Sequence, residues 1–410
     1  MLVGVFVRSP RLPRSVGLLG PAFVAAIAYV DPGNVATNVT AGATFGYTLV
    51  WVVVLANAMA VVVQYLSAKL GIVTGQSLAT HVGEALPRPA RIAYWLQAEA
   101  VAVATDIAEV VGGAVALYLL FDLPLVAGAL VTVAVSMLVL RIGDRFGQST
   151  LERVVIGFLL LIAVGFTAGL FVAPPDPGAT IEGLVPRFDG AESVLLSSAI
   201  IGATVMPHVI YLHSGLTAGR LGERGVRRSI PDLLAATRVD VVVALVVAGT
   251  LNLALLLTAA SSLSGQDGTA TLAGVHALMT SELGAGVALL FAVALLGSGL
   301  ASTSVGCAAG AEVMQGLLRA RVPILVRRVV TVIPALVVLV MGIEPSRALV
   351  VSQVVLSVGI PFALIPLLIL TAKRSVMGED VNRPVTTVVA AAIAGVVIAL
   401  NVALLVLTFA

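Results

Sequence analysis

Two short polar stretches interrupt an otherwise apolar sequence, and their side chains are of the kinds that bind metal ions. The first is Asp-Pro-Gly-Asn at residues 31–34, and the second is Met-Pro-His at residues 206–208. Asp31 and Asn34 offer a carboxylate and an amide oxygen, whereas Met206 offers a thioether sulfur. Oxygen ligands alone suit Mg²⁺ or Ca²⁺. A soft sulfur beside a hard carboxylate instead favours transition metals such as Mn²⁺, Fe²⁺, Co²⁺ or Cd²⁺.

Both stretches are expected to break a helix, because proline removes a backbone donor and every backbone group inside a membrane needs a partner. A break therefore faces protein or a wet cavity rather than lipid. We expect the first break to free the carbonyl of Ala28 and the second to free that of Ala203, which adds two oxygen ligands. The alternative for Met206 is that it fills a gap in the core, as most methionines do.

The composition places the chain in a membrane. Hydrophobic residues make up 59% of the sequence and charged residues 11%, with a mean hydropathy of +1.11. Soluble domains are far less apolar. Since a membrane helix needs about 20 apolar residues, the sequence predicts about eleven transmembrane helices and no strands, an all-α polytopic fold. The predicted spans are 17–41, 46–71, 91–120, 123–141, 153–173, 193–219, 232–258, 285–317, 324–341, 346–371 and 385–408.

The positive residues predict the orientation. With these spans, all but Arg187 and Arg347 of the 23 Lys and Arg residues fall on one face of the membrane. Lys and Arg are enriched on the cytoplasmic side, so we expect a cytoplasmic N-terminus, formed by residues 1–16, and an outer C-terminus. The expected location is a bacterial cytoplasmic membrane, with the lipid bilayer as the only permanent partner.

The spacing of the two breaks predicts an internal repeat. They lie in spans one and six, so five spans separate equivalent positions. Paired interruptions in two halves are typical of transporters with inverted repeats and a substrate site near the midplane of the bilayer. We expect a first repeat over 17–174, a second over 193–371 and an additional helix within 385–410.

The third span carries three acids at helical spacing. Glu99, Asp106 and Glu109 lie along one stripe, and a carboxylate at the centre of a membrane costs about 2.5–3.5 kcal/mol on insertion scales. Such residues mark ion or proton routes, although hydrogen bonds of protonated acids between helices are the alternative. A cation arriving at Asp31 would displace a proton towards these acids, with His208 as an intermediate carrier. The amides of Asn57 and Asn252 are expected to bridge helices.

At these residues the sequence resembles the Nramp family of divalent-metal transporters, specifically its bacterial manganese members. Both signatures, residues 31–34 and 206–208, are present in order, and the resemblance extends through "QYLSAKLG", "ATDIAEVVGG" and "VVSQVVLSVGIPFALIPL". The resemblance implies a LeuT-like fold of two inverted five-helix repeats with broken helices 1 and 6, plus an eleventh helix. It also implies that Asp31, Asn34 and Met206 coordinate the metal.

The resemblance extends the set of expected functional residues. It implies that the carbonyls of Ala28 and Ala203 aid coordination, that Gln353 approaches the ion, and that metal uptake is coupled to protons. It assigns Asp106 and Glu109 to the proton route, with His208 close to both sites. His213, Arg220, Arg327 and Arg328 match positions at the inner end of the pathway. For Arg327 and Arg328 the alternative is that they only anchor a helix end to headgroups.

Taken together, these features predict a proton-coupled importer of divalent metal, with Mn²⁺ as a substrate and no permanently bound cofactor. The rival of the same fold is a sodium-coupled carrier of an amino acid or other organic solute, although Asp31 would repel a substrate carboxylate. An enzyme is not expected, since no H-E-x-x-H or G-x-x-x-x-G-K-[ST] motif occurs. The single cysteine, Cys307, excludes a cysteine cluster for zinc. No pore-lining motif indicates a channel, and neither nucleic acid nor an obligatory protein partner is expected.

Overall fold

The computed structural model describes residues 20–146, 148–218, 229–320, 322 and 324–409, and every regular element in this part of the chain is a helix. The helices in chain order are α1 (Pro21–Ala28), α2 (Pro32–Phe45), α3 (Val50–Thr74), α4 (Leu78–Ala85), α5 (Arg88–Phe121), α6 (Leu125–Phe146), α7 (Gln148–Val172), α8 (Pro177–Glu182), α9 (Gly190–Thr204), α10 (Pro207–Ala218), α11 (Ile230–Ser262), α12 (Leu272–Glu282), α13 (Ala285–Leu318), α14 (Ile324–Val340), α15 (Pro345–Thr371), α16 (Arg374–Met377) and α17 (Pro384–Phe409).

Each of the eleven predicted spans corresponds to a helix or a broken helix pair in the described part of the chain. The first is the broken pair α1 and α2, the sixth is the broken pair α9 and α10, and the other nine are α3, α5, α6, α7, α11, α13, α14, α15 and α17. Within the described residues, seven spans are long and apolar enough to cross a membrane by length and composition, and shorter apolar stretches occur at 125–139 and 156–172. The chain therefore crosses the membrane repeatedly.

The prediction was less accurate at the ends of the spans and in the connections. The first span continues to Phe45 rather than ending at 41, and α5 already begins at Arg88 rather than at 91. The Ser-, Gly- and Thr-rich connection at 259–284, which lies between the predicted spans 232–258 and 285–317, contains helix α12. Thr271 caps this helix by accepting a hydrogen bond from the amide of Gly274, and its apolar side is buried.

Local chemistry explains both helix breaks. Helix α1 ends at Ala28, and Asp31 then caps α2 by accepting a hydrogen bond from the amide of Asn34, with Pro32 as the first residue of α2. Proline suits this position because the first N–H of a helix has no helical partner. Pro207 likewise begins α10 after the short non-helical stretch at 205–206.

The broken helices lie at the centre of the protein. Helix α13 packs against α5, α7 and α10, while α2 packs against α11, α9 and α15. Gly112 of α5 lies directly against the ring of Pro32, and a side chain at this position would collide with the ring. This close approach brings the acidic helix α5 against the first break.

Candidate functional site

The two breaks meet at the side chain of Asn34. Its Nδ2 atom donates one hydrogen bond to Asp31 Oδ1 and a second to the carbonyl of Ala203, each at 2.8 Å. Asp31 belongs to the first break and Ala203 lies one turn before the second. The structure thus brings together three of the residues that the sequence predicts as metal ligands, and all three are buried.

Gln353 of α15 approaches the same carboxylate. Its Nε2 atom lies 3.5 Å from Asp31 Oδ2 and 3.2 Å from the hydroxyl of Ser352. Gly33 leaves room for this approach, because a Cβ atom there would collide with the Gln353 amide. Among the described residues, neither Gln353 Oε1 nor Asn34 Oδ1 has a hydrogen-bond partner. Two amide oxygens therefore lie beside the Asp31 carboxylate with unused acceptor capacity.

Met206 lies in the second break and is fully buried. It follows Val205, whose amide still donates to the carbonyl of Ile201, and its own carbonyl accepts from the amide of Ile210. The thioether therefore belongs to the short non-helical stretch three residues after Ala203. This placement agrees with the sequence prediction that Met206 lies at the second break.

The carbonyl groups of the first break all accept hydrogen bonds from protein donors. Ala28, predicted to have a free carbonyl, accepts a hydrogen bond from the amide of Asp31 at 3.1 Å. The next two carbonyls accept from side chains of other helices: Tyr29 from Asn252 Nδ2 at 2.8 Å and Val30 from the hydroxyl of Ser298. Asn252 thus bridges α11 to the broken helix, as predicted for a buried amide.

The acidic stripe of α5 faces the two arginines of α14. Arg328 and Asp106 form a hydrogen-bonded ion pair, and Arg327 Nη2 lies 3.6 Å from Glu99 Oε1. Both arginines are buried. Both guanidinium groups contact acidic side chains inside the protein. This placement contradicts the alternative that the two arginines only anchor a helix end to lipid headgroups.

Glu109 lies two to three helical turns beyond Glu99, near the first break. It is buried, and its carboxylate faces α13, where a Cβ atom at Gly306 would lie 2.9 Å from Glu109 Oε1. Its Oε2 atom has no hydrogen-bond partner among the described residues. Glu109 is thus the one member of the predicted acidic stripe without an arginine partner in an ion pair within this part of the chain.

The predicted histidines, His208 and His213, lie on α10, which follows the second break in the chain. His208 Nδ1 is 3.2 Å from the hydroxyl of Thr105, the residue before Asp106, and His213 Nδ1 is 2.9 Å from Gln64 Oε1 of α3. His208 also lines a cavity of about 10 Å³ together with Gln97 and Tyr211. This is about the volume needed for one water molecule. Arg220 lies outside the described residues.

The candidate site contains a single carboxylate. No group of three or more His, Cys, Asp or Glu side chains within the described part of the chain could hold a metal ion. The side chains that contact the Asp31 carboxylate are instead neutral: the amide groups of Asn34 and Gln353. Neutral oxygen donors beside one carboxylate bind a divalent cation less tightly than a cluster of carboxylates would, because affinity rises with the charge of the ligands.

Comparison with known proteins identifies the chain. The family model described as natural resistance-associated macrophage protein-like (Nramp) matches residues 22–407. The chain belongs to the Nramp family. One relative is the divalent metal cation transporter MntH of Mycobacterium tuberculosis (strain ATCC 25618 / H37Rv), which is 57% identical over 397 residues, covering 97% of this chain and 93% of the relative.

Solved structures of transporters share the fold of this Nramp chain. A crystal structure of the Eremococcus coleocola manganese transporter superposes with a TM-score of 0.83 at 29% identity, covering 95% of this chain and 85% of that one. MhsT in complex with L-phenylalanine superposes with a TM-score of 0.62 at 13% identity, covering 95% and 97%. The predicted LeuT-like fold with two broken helices is therefore confirmed.

Several polar residues of this Nramp chain that contact the predicted site residues or their immediate neighbours were missed from the sequence. Ser298 and Asn401 are buried polar residues of otherwise apolar helices, and Gln64 and Thr105 pair with the two histidines. The cost of a polar side chain inside a membrane helix is the signal that could have found them. Their partners could not have been found in this way, because each hydrogen bond joins distant parts of the sequence.

Proposed function

We propose that this chain is a proton-coupled secondary active transporter that imports divalent transition metal ions, Mn²⁺ and also Fe²⁺, Cd²⁺ and Co²⁺, across the bacterial cytoplasmic membrane by alternating access. Family membership and the relatives, a divalent metal cation transporter and a manganese transporter, support transport of divalent metal cations. The metal ion is the substrate, and protons are the co-substrate.

One observation carries the proposal: a single atom, Asn34 Nδ2, bridges the carboxylate of the first break and a carbonyl of the second. A positively polarised amide group thus occupies the point at which acceptors from both halves converge. Rotation of the amide by half a turn would present Asn34 Oδ1 at the same point, adding a third oxygen to Asp31 and Ala203. The thioether of Met206 and the oxygen of Gln353 would complete a mixed oxygen and sulfur set that favours transition metals.

Ala28 has a smaller part in this proposal than the sequence suggested. Its carbonyl already accepts from the amide of Asp31, but a carbonyl has a second lone pair that can reach a cation. The ion would lose its water stepwise as these groups bind it. The two repeats, which we place at 17–174 and 193–371, would then rock against each other and move the opening from one side to the other.

The proposed proton route leads away from the metal along α5. A cation at Asp31 would repel a proton from its surroundings, and Glu109 and His208 both have an unused acceptor or donor atom within the described residues. Asp106 and Glu99 continue the stripe towards the ion pairs with Arg328 and Arg327. His213 and Arg220 are proposed at the inner end of the same route. A chain of such groups can relay protons through a membrane.

The test is Mn²⁺ uptake into proteoliposomes that contain an internal pH dye. Wild type should take up Mn²⁺ and acidify the lumen, whereas Asp31→Ala should abolish uptake. Thr37→Ala is the matched control and should retain uptake, because among the described residues this hydroxyl bonds only within its own helix, to the carbonyl of Gly33. Undiminished Mn²⁺ uptake by Asp31→Ala, or uptake of labelled amino acids with Na⁺ but not of Mn²⁺, would refute the proposal.

A further inference from the structure

Helix α15, which carries Gln353, contains two prolines, Pro361 and Pro366. In an uninterrupted helix the amides at these positions would donate to the carbonyls four residues earlier, those of Ser357 and Phe362. Proline has no N–H group, so both carbonyls lose their helical partner. Inside a membrane this loss is tolerated where a neighbouring helix supplies another donor.

Side chains of two different helices supply these donors. Asn401 of α17 donates from Nδ2 to the carbonyl of Ser357 at 2.9 Å, and Tyr211 of α10 donates from its hydroxyl to the carbonyl of Phe362 at 3.5 Å. Asn401 Oδ1 also accepts from the hydroxyl of Ser357 at 2.9 Å. Each carbonyl released by a proline is therefore paired outside α15, and the contact with Asn401 is double.

The Asn401 contact lies next to the candidate metal site. Ser357 comes four residues after Gln353, so the two lie one turn apart on the same side of α15. On the α9 side, a Cβ atom at Gly202 would collide with the carbonyl of Gln353 and lie 2.7 Å from the amide of Ser357. This turn of α15 is thus held between the backbone of α9 and the amide of Asn401, while the Gln353 side chain reaches Asp31.

We infer that Asn401 is a positioning residue for the metal site: it replaces the hydrogen bond that Pro361 removes and thereby holds Gln353 beside Asp31. The inference rests on the proposed function, since Gln353 is taken to approach the transported ion. It gives α17, which lies outside the two proposed repeats, an effect on metal binding that acts through α15. Asn401 itself is not proposed to contact the ion.

The same arrangement links α15 to the second break. Tyr211 follows Pro207 by one helical turn, and its hydroxyl reaches the carbonyl released by Pro366. A movement of α10 during transport would therefore change the second proline contact, whereas the first stays tied to α17. The two contacts are separate, and each has its own proline. This separation allows a matched control for the experiment.

The experiment is a mutant cycle that measures the KM and the maximal rate of Mn²⁺ uptake into proteoliposomes. Asn401→Leu keeps the side-chain size and removes both hydrogen bonds to Ser357. It should raise the KM for Mn²⁺ about tenfold, the lower end of the effect of losing an outer residue that orients a metal ligand. Pro361→Ala restores a helical N–H for the Ser357 carbonyl. In the Pro361→Ala background, Asn401→Leu should raise the KM for Mn²⁺ by no more than about twofold, compared with about tenfold in the wild-type background.

The control is Pro366→Ala, which restores the other N–H and should leave the full effect of Asn401→Leu intact. If Asn401→Leu alone fails to fold, Asn401→Ser, which keeps a shorter donor, is carried through the same cycle. An unchanged KM in the variant, or an equal increase in the wild-type and Pro361→Ala backgrounds, would overturn the inference. A wild type that takes up no Mn²⁺ would instead overturn the proposed function, and this inference with it.

Discussion

Arg328 of α14 and Asp106 of α5 form an ion pair that is buried on both sides, with 1% and 3% of the two side chains exposed. The pair joins residues that are 222 positions apart in the sequence. Removing one partner of a buried pair leaves an uncompensated charge, whereas replacing both partners with apolar groups is often tolerated. The burial of this pair therefore predicts how its variants change the free energy of unfolding, whether or not the protein transports metal.

We expect Arg328→Met to lower the free energy of unfolding by about 3–5 kcal/mol. The double variant Arg328→Met, Asp106→Leu should regain most of this loss, because it buries no unpaired charge. Thermal unfolding of the purified protein in detergent measures both. Arg327→Met is the control and should lower the free energy of unfolding by less than Arg328→Met does, since its partner Glu99 is 19% exposed and can be solvated. A double variant less stable than either single variant would contradict the interpretation.

A second prediction concerns the close approach of Gly33 and Gln353. Gly33→Ala places a methyl group where the Gln353 amide lies, and overpacking of this kind costs about 1–3 kcal/mol. Gln353→Ala in the same chain should remove most of that cost. The unfolding temperatures of the two single variants and the double variant give the comparison. Gly395→Ala, at a helical glycine of α17 with open space around it, is the control and should leave the unfolding temperature unchanged or higher.

The carbonyls of the first break lead to a third prediction. Ser298→Ala leaves the carbonyl of Val30 without its donor, which should cost about 1–3 kcal/mol. Ser302→Ala is a matched control from the same helix. Ser302 is equally buried, and among the described residues its hydroxyl donates only to the carbonyl of Gly299, within that helix. Equal losses of thermal stability in the two variants would show that the hydrogen bond to the Val30 carbonyl does not contribute to stability beyond a bond within the helix.

Selectivity tests the role of the sulfur in the second break. Met206→Ala should reduce uptake of Cd²⁺ more than that of Mn²⁺ and relax the rejection of Ca²⁺ and Mg²⁺, because a thioether favours softer metals. Competition of these ions with labelled Mn²⁺ in proteoliposomes measures the change. Met59→Ala removes another buried methionine, in α3, and should leave the selectivity unaltered. Identical ion preferences in wild type and Met206→Ala would exclude the sulfur as a ligand.

Glu109 tests the coupling to protons. Glu109→Gln keeps the shape of the side chain and removes its ability to exchange a proton, so Mn²⁺ uptake should continue with little acidification of the lumen. The ratio of protons to metal ions, read from an internal pH dye and from metal content, is the measurement. Glu84→Gln changes an exposed glutamate in the connection helix α4 and should preserve the ratio. An unchanged ratio in Glu109→Gln would place the proton route elsewhere.

Local chemistry made the helices and their breaks predictable. Runs of about 20 apolar residues predict spans because lipid offers the backbone no other partner than its own helix. Pro32 and Pro207 predict where two helices restart, since proline lacks the N–H that a continuous helix requires. The connection helix α12 was missed because Ser, Gly and Thr are common in loops, and its stability depends on a cap and on tertiary burial.

By itself, the sequence determined that this is a helical membrane protein with two broken spans and with Asp31, Asn34 and Met206 at the breaks, because these features follow from neighbouring residues. The tertiary structure alone decided which groups meet: Asn34 with Ala203, Asp106 with Arg328, and Ser357 with Asn401. These contacts join residues that are 44 to 222 positions apart. Helical periodicity shows which side of a helix is polar, but only the packing of the helices decides what that side faces.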